Sequence, residues 1–153
     1  MSIPTATEVL AWLDRLDTQV ADDLESQWLE IKPWSDPKDD MRLAVEYAVC
    51  FANADGGVIV FGVSDRVTGR AAAIHGVGNF AADVWRRGIF QATSPHIEVE
   101  LEELRVPEGT GKLLLIRVPK GLHPPYGTAQ GLFKSVWRRT ACRWTRRNSC
   151  ARA

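Results

Sequence analysis

Phe51-Ala52-Asn53-Ala54-Asp55-Gly56-Gly57-Val58-Ile59-Val60-Phe61-Gly62-Val63-Ser64-Asp65 passes from a helical pattern to a strand within a few residues. Val58 to Phe61 is apolar on both sides of a period-2 pattern. That predicts a central strand covered on both faces. The two glycines mark a helix stop, because glycine adopts the left-handed cap without a Cβ clash. The helix they end is the clearest in the chain. Asp36 can cap it, Pro37 occupies the first helical position, and Asp39 and Asp40 lie in the positive first turn. Met41, Ala44, Val45, Ala48, Phe51 and Ala52 form its apolar stripe.

Working outward, Trp28 to Lys32 predicts a short strand stopped by Pro33. Before it, Thr5 and Glu8 have capping-box spacing, and Val9, Leu13, Leu16 and Val20 continue a helical period. Downstream, Asp65 to Gly69 predicts a polar turn into a short strand near Ala71 to Ile74. Asn79 is expected to cap a third helix running to about Thr93, with Phe80, Val84 and Ile89 inward. His96 to Val106 alternates, but its apolar parity switches between Leu101 and Leu104, which predicts a bulge near Glu102 or Glu103. Leu113 to Val118 predicts a second buried strand, Gly121 to Gly131 a Pro/Gly loop, and Leu132 to Trp137 a last strand. The economical fold is α+β: one domain, with a mixed β-sheet packed against about three helices.

Composition agrees with a globular domain of 153 residues, 45% hydrophobic and 25% charged. No apolar run approaches the roughly 18–20 residues a membrane span needs, and no basic-then-apolar leader is visible at the start. Cys50, Cys142 and Cys150 have neither disulfide-framework nor zinc-site spacing, which suits a reducing, cytoplasmic setting. The net charge of zero hides an asymmetry. Seven of the 19 basic residues fall after Leu132 and all 19 acids precede it, leaving 12 against 19, a net of −7, before the tail. An acidic body is a weak electrostatic case for phosphate binding.

Glu25-Ser26-Gln27-Trp28-Leu29-Glu30-Ile31-Lys32, taken with residues 51–65, resembles the Schlafen AlbA-type domain family. Its signature runs E-S-x-x-L-E-F-K, then A-x-A-N-x-x-G-G-x-I-x-I-G-V-x-D. Leu115-Ile116-Arg117-Val118-Pro119 followed by Pro124-Pro125-Tyr126 is also similar to the family's strand, loop and strand. The resemblance covers Leu24 to Val136, so residues 1–136 are read as the domain and 137–153 as an irregular basic tail.

The resemblance implies a nucleic-acid-binding domain of regulatory type, with RNA or DNA as its partner. It also implies an alternative, a metal-dependent endoribonuclease that cuts structured RNA. In that reading Glu25, Glu30 and Asp65 hold Mg²⁺ or Mn²⁺, and Lys32 adds positive charge at the transition state. A protein-interaction or dimerisation module, with a homodimer as partner state, is the third reading. Glu25 and Glu30 are five positions apart, so on one straight strand they would face opposite ways at about 16 Å. Sharing a metal requires Glu25 to sit on a preceding helix end or turn. Without the resemblance, Glu30 and Lys32 read as edge-strand charges and Asp65 as a turn former.

Candidate phosphate contacts are Lys32, Arg66, Arg86, Arg87, Lys120, Lys134 and Arg138, and Tyr126 and Phe133 could stack on bases. Asn53, Gly56 and Gly57 follow a helix and precede a strand, the reverse of a phosphate loop, and so read as a helix stop. Cys50 has no histidine partner and reads as inert. His75, His96 and His123 lack ligand spacing, and His123 is the one placed near a site, by Tyr126. After Val136 the mixture of Trp, Arg, Cys and Ser has no apolar period. It reads as out-of-frame translation, and an alternative frame allows LAKDCLPMDAEELLRA. On that reading Arg138 and later residues drop out of the site.

Overall fold

The computed structural model describes residues 3–129. Thr5 and Glu8 close the expected capping box, each side chain bonding the other's backbone N–H, and open helix α1 (Ala6–Leu13). The chain then tightens into a 3₁₀ turn (Asp14–Asp17) and breaks before a short helix, α2 (Ala21–Leu24). The single long helix expected to Val20 is therefore not formed. Asp17 and Thr18 are poor helix formers, and the break lets Leu16 and Leu24 both be buried.

Strand β1 (Leu29–Lys32) leads into helix α3 (Pro37–Asn53), where the Asp36 carboxylate accepts the Lys38 N–H as predicted. Strand β2 (Gly57–Phe61) runs parallel to β1, and α3 is the crossover that parallel pairing demands. A helical turn, α4 (Arg70–Ala73), helix α5 (Ala82–Ala92) and a two-residue strand, β3 (Thr93–Ser94), come next. Antiparallel strands β4 (Glu100–Arg105) and β5 (Lys112–Val118) follow, and β6 (Gly127–Thr128) pairs with β3. The main sheet has the order β1-β2-β5-β4, mixed in direction, with β2 inside and fully buried. No described helix is long and apolar enough to cross a membrane.

Two apolar layers sandwich this sheet. On one face α3 and α5 cover Ile59, Phe61, Leu114, Ile116 and Val118. On the other α1, the 3₁₀ turn and α2 cover Leu29, Ile31, Val58, Val60, Leu113 and Leu115. The alternation along β2 and β5 thus serves two cores, which is why both strands read as continuous apolar runs.

Three local expectations are corrected. Ala71 to Ile74 is not a strand: Arg70 to Ala73 winds as a helical turn, favoured by three alanines, and only Ile74 makes a β-bridge, to Val63. Asn79 does not cap α5, whose N-cap is Ala81 with no side-chain bond, and Asn79 instead accepts from the Lys112 ammonium. Ile89 is buried and Phe80 packs against the same core as expected, but Trp85 takes the inward place read for Val84, which stands 60% exposed. Finally, β4 pairs with β5 without a skipped residue from Glu100↔Arg117 to Arg105↔Lys112, so there is no bulge. The parity switch has another cause: Ile97, Val99 and Leu101 enter the α5-side core, whereas Leu104 and Val106 enter the α1-side core.

Candidate functional site

β1 has a neighbour on one side only, so its outward main-chain groups need other partners. The segment before it supplies them. Ser26 and Leu29 exchange N–H···O bonds of 3.1 and 3.4 Å, and the Ser26 hydroxyl accepts the Trp28 N–H. Glu25, in extended conformation just past α2, lies outside the straight strand, as a shared site required. Its carboxylate accepts the Ile31 N–H at 3.4 Å.

Leu29 and Ile31 enter the α1-side core, so alternation sends Glu30 and Lys32 to the α3 side. There Glu30 is 5% exposed, and the Lys32 ammonium lies 3.2 Å from its Oε1 and 5.5 Å from the centre of the Tyr47 ring on α3. The contact is close but not aligned as a hydrogen bond, leaving Oε1 without a donor among the described residues. The attraction is therefore mainly charge on charge in a poorly solvated place.

Asp65 lies beyond the carboxyl end of β2, and its carbonyl accepts the Asp22 N–H at 3.0 Å, docking that turn on α2. Since α2 leads directly to Glu25, and Glu25 reaches the Ile31 N–H, these bonds bring the segments that carry Glu25, Glu30, Lys32 and Asp65 together at the β1 edge of the sheet, with Glu30 and Lys32 on its α3 face. Their side chains do not complete a ligand set. Among the described residues no group of three or more His, Cys, Asp or Glu is arranged to hold a metal ion. Glu25 faces a main-chain donor and Glu30 an ammonium, an arrangement that does not fit a shared Mg²⁺ or Mn²⁺.

The proposed phosphate contacts divide. Lys32 is largely buried, Arg66 lies 3.8 Å from Asp22, Arg86 is bound to Asp83 at 2.7 Å, and Lys120 is 3.4 Å from Asp55. Arg87 is exposed and makes no ion pair among the described residues. Lys134, Phe133 and Arg138 lie outside the described residues. Tyr126 is 6% exposed, and its backbone exchanges two hydrogen bonds with the Asn53 side chain, at 2.6 and 3.0 Å. Its hydroxyl accepts the His123 N–H. A ring so enclosed is a clasp between the end of α3 and the loop after β5, not a face open to a base. The same geometry supports the helix-stop reading of Asn53 to Gly57. Gly56 has φ +83°, and a Cβ there would come within 2.8 Å of the Val118 carbonyl.

Two polar residues have partners the sequence reading did not assign. Asp40 is fully buried and accepts both the N–H and the hydroxyl of Ser35, at 2.8 and 2.9 Å, fixing the entry to α3. Its place four residues after the cap was the available signal. His75 accepts the Trp34 N–H at Nε2 and faces the Ser64 hydroxyl through Nδ1. An amide can only donate, so Nε2 is unprotonated and Nδ1 carries the hydrogen. This links the exits of β1 and β2, a pairing no sequence spacing announces.

Comparison with known proteins follows that geometry. The family model described as Schlafen, AlbA_2 matches residues 25–146, from the first carboxylate of the corner to beyond Val136. No curated protein matches. Among solved structures, the fold is similar to the N-terminal domain of a Nitrosomonas europaea protein whose name reads ATP-dependent DNA helicase RecG-related protein. That likeness has a TM-score of 0.51 at 22% identity and covers 78% of each chain. The DIP2311 protein of Corynebacterium diphtheriae is matched at a TM-score of 0.48 and 17% identity, over 68% of this chain. This chain spans only 20% of that protein's length. The family match covers the β1 edge, α3, the glycine stop and the buried strands in one continuous stretch, and so the chain belongs to the Schlafen AlbA_2 family.

Proposed function

We propose that this chain is a nucleic-acid-binding domain of regulatory type, which holds RNA or DNA chiefly through phosphates. The family match over residues 25–146 carries the reading. A fold like that of the RecG-related N-terminal domain is compatible with it. The charge distribution sets its character. Most cations of the described body already face an acid, so few are available to phosphate. Few contacts mean a shallow salt dependence: with about two or three phosphates neutralised, log K should fall with log salt at a slope of roughly −2 to −3.

The second reading, metal-dependent cleavage of structured RNA, is favoured by the main-chain gathering of Glu25, Glu30 and Asp65 at one corner. It would require those side chains to leave their present partners, which ranks it below binding alone. Fluorescence anisotropy with structured RNA, single-stranded DNA and duplex DNA in chelator tests the first reading. Saturable binding that weakens with salt is expected, and no binding to any of them at low salt would overturn it. Adding Mn²⁺ separates the two readings: RNA products that vanish in Asp65→Ala would replace the binding reading by the nuclease.

A further inference from the structure

At the sheet edge opposite the carboxylate corner, two clefts of about 550 and 300 Å³ flank α5 and share Phe90 and Glu98, so they form one groove. The smaller lies between the Phe90–Glu98 segment and the loop around Leu122 and His123. The larger is bordered by Arg86 and Arg87.

A flat platform lies in this groove. The Phe90 and His96 rings stack at 4.3 Å with 18° between their planes. His96 Nδ1 lies 2.7 Å from the Phe90 carbonyl, which can only accept, so Nδ1–H donates and the ring plane is fixed. His96 is exposed, as is Leu122, at 84%. A fixed, exposed ring facing a cleft of this size is suited to stacking a planar heterocycle.

The charges narrow the ligand further. Of the ionic groups bordering the larger cleft, Arg86 is bound to Asp83 and Glu100 faces Arg117. In the smaller cleft Lys120 faces Asp55. Arg87 and Glu98 remain, one cation and one carboxylate without ion-pair partners among the described residues. A carboxylate repels phosphate but accepts hydrogen bonds. Guanine alone among the four RNA bases offers two adjacent donors, N1–H and the 2-amino group, on its pairing edge. Uracil offers one donor between two acceptors.

We propose that this groove binds one unpaired guanine nucleotide of a single strand. The base stacks on His96, its pairing edge donates to Glu98, and its phosphate meets Arg87. The inference rests on the nucleic-acid-binding reading and adds base selectivity to it.

The test uses fluorescently labelled ten-nucleotide uridine oligonucleotides carrying G, A, C or U at one central position, with circular dichroism to check each variant's fold. The central-G strand should bind about tenfold more tightly than the all-U strand. Glu98→Gln should remove that preference while retaining binding to the all-U strand. His96→Ala should weaken the G strand roughly tenfold by loss of stacking. Arg87→Ala should weaken every strand alike and lower the salt slope by about 1. Free guanosine monophosphate should compete only at far higher concentration, and equal competition would overturn a strand as the source. Binding with no G preference, or a preference that survives in Glu98→Gln, overturns the inference while leaving nucleic-acid binding intact. No binding to any oligonucleotide overturns the inference, and it overturns the reading beneath it as well only if structured RNA and DNA also fail to bind at low salt.

Discussion

Lys32 is the group that lets Glu30 lie beneath α3. With side chains 12% and 6% exposed, neither ion has much water to fall back on. Removing one partner of such a pair strands the other, at a cost of about 3–5 kcal/mol, whereas replacing both by apolar groups is nearly neutral. Lys32→Met should therefore lower the urea-unfolding free energy by about 3 kcal/mol, and Glu30→Leu/Lys32→Met should restore most of it. A single-variant loss under about 1 kcal/mol would mean that water reaches the carboxylate. The sequence announced the two-residue spacing that puts these ions on one face. It could not announce that α3 covers that face, since an edge strand with charges at i and i+2 reads equally well as solvated.

The element that departs furthest from its sequence reading is α5. Val84 lies on its exposed side and Trp85 packs against Trp34 and Phe61, with ring centroids 5.6 and 5.8 Å apart. Trp85→Ala should cost about 3–5 kcal/mol, while Val84→Ser should change stability by less than about 0.5 kcal/mol. Thermal unfolding of both variants checks the assignment, and similar losses in the two would contradict it. Phe80 and Ile89 face inward as read, but the buried place between them goes to Trp85 rather than Val84, one position or about 100° further round the helix. Asn79 is a good cap by composition, but Lys112 on β5 claims its oxygen. By contrast α1 and α3 carry their caps within the chain, Thr5 with Glu8 and Asp36 with Lys38, and both start where their sequence places them.

For the whole molecule, an acidic body with few unpaired cations makes a small phosphate-binding surface. Two copies would double it, and a two-fold homodimer is the expected arrangement. The main-sheet edges are poor candidates for its interface. Ser26 and Glu25 occupy the groups along β1, and the outer strand β4 carries exposed Glu100, Glu102, Glu103 and Arg105. The loop from Gly121 onward is the expected contact. Light scattering across a concentration series, on the full chain and on a form ending at Val136, should show a dimer in both. A monomer in both at high concentration would remove dimerisation from the reading.

The two-core sandwich was legible because its causes are local and repeat along the chain. Apolar runs at Val58–Phe61 and Leu113–Val118, a capped amphipathic helix and a glycine stop leave few other ways to bury so much apolar surface. The corner carboxylates were legible only as a resemblance, because periodicity says nothing about how Glu25 and Glu30 lie relative to Asp65, so far along the chain. Which side chains meet there depended on contacts made after the chain folded back: the Asp65 carbonyl on the Asp22 amide, Glu25 on the strand edge and Lys32 under Tyr47. The β4 parity switch shows the same division. The pattern recorded that burial changes sides, but only the packed helices decided that a straight strand, covered by different layers along its length, satisfies it without a bulge.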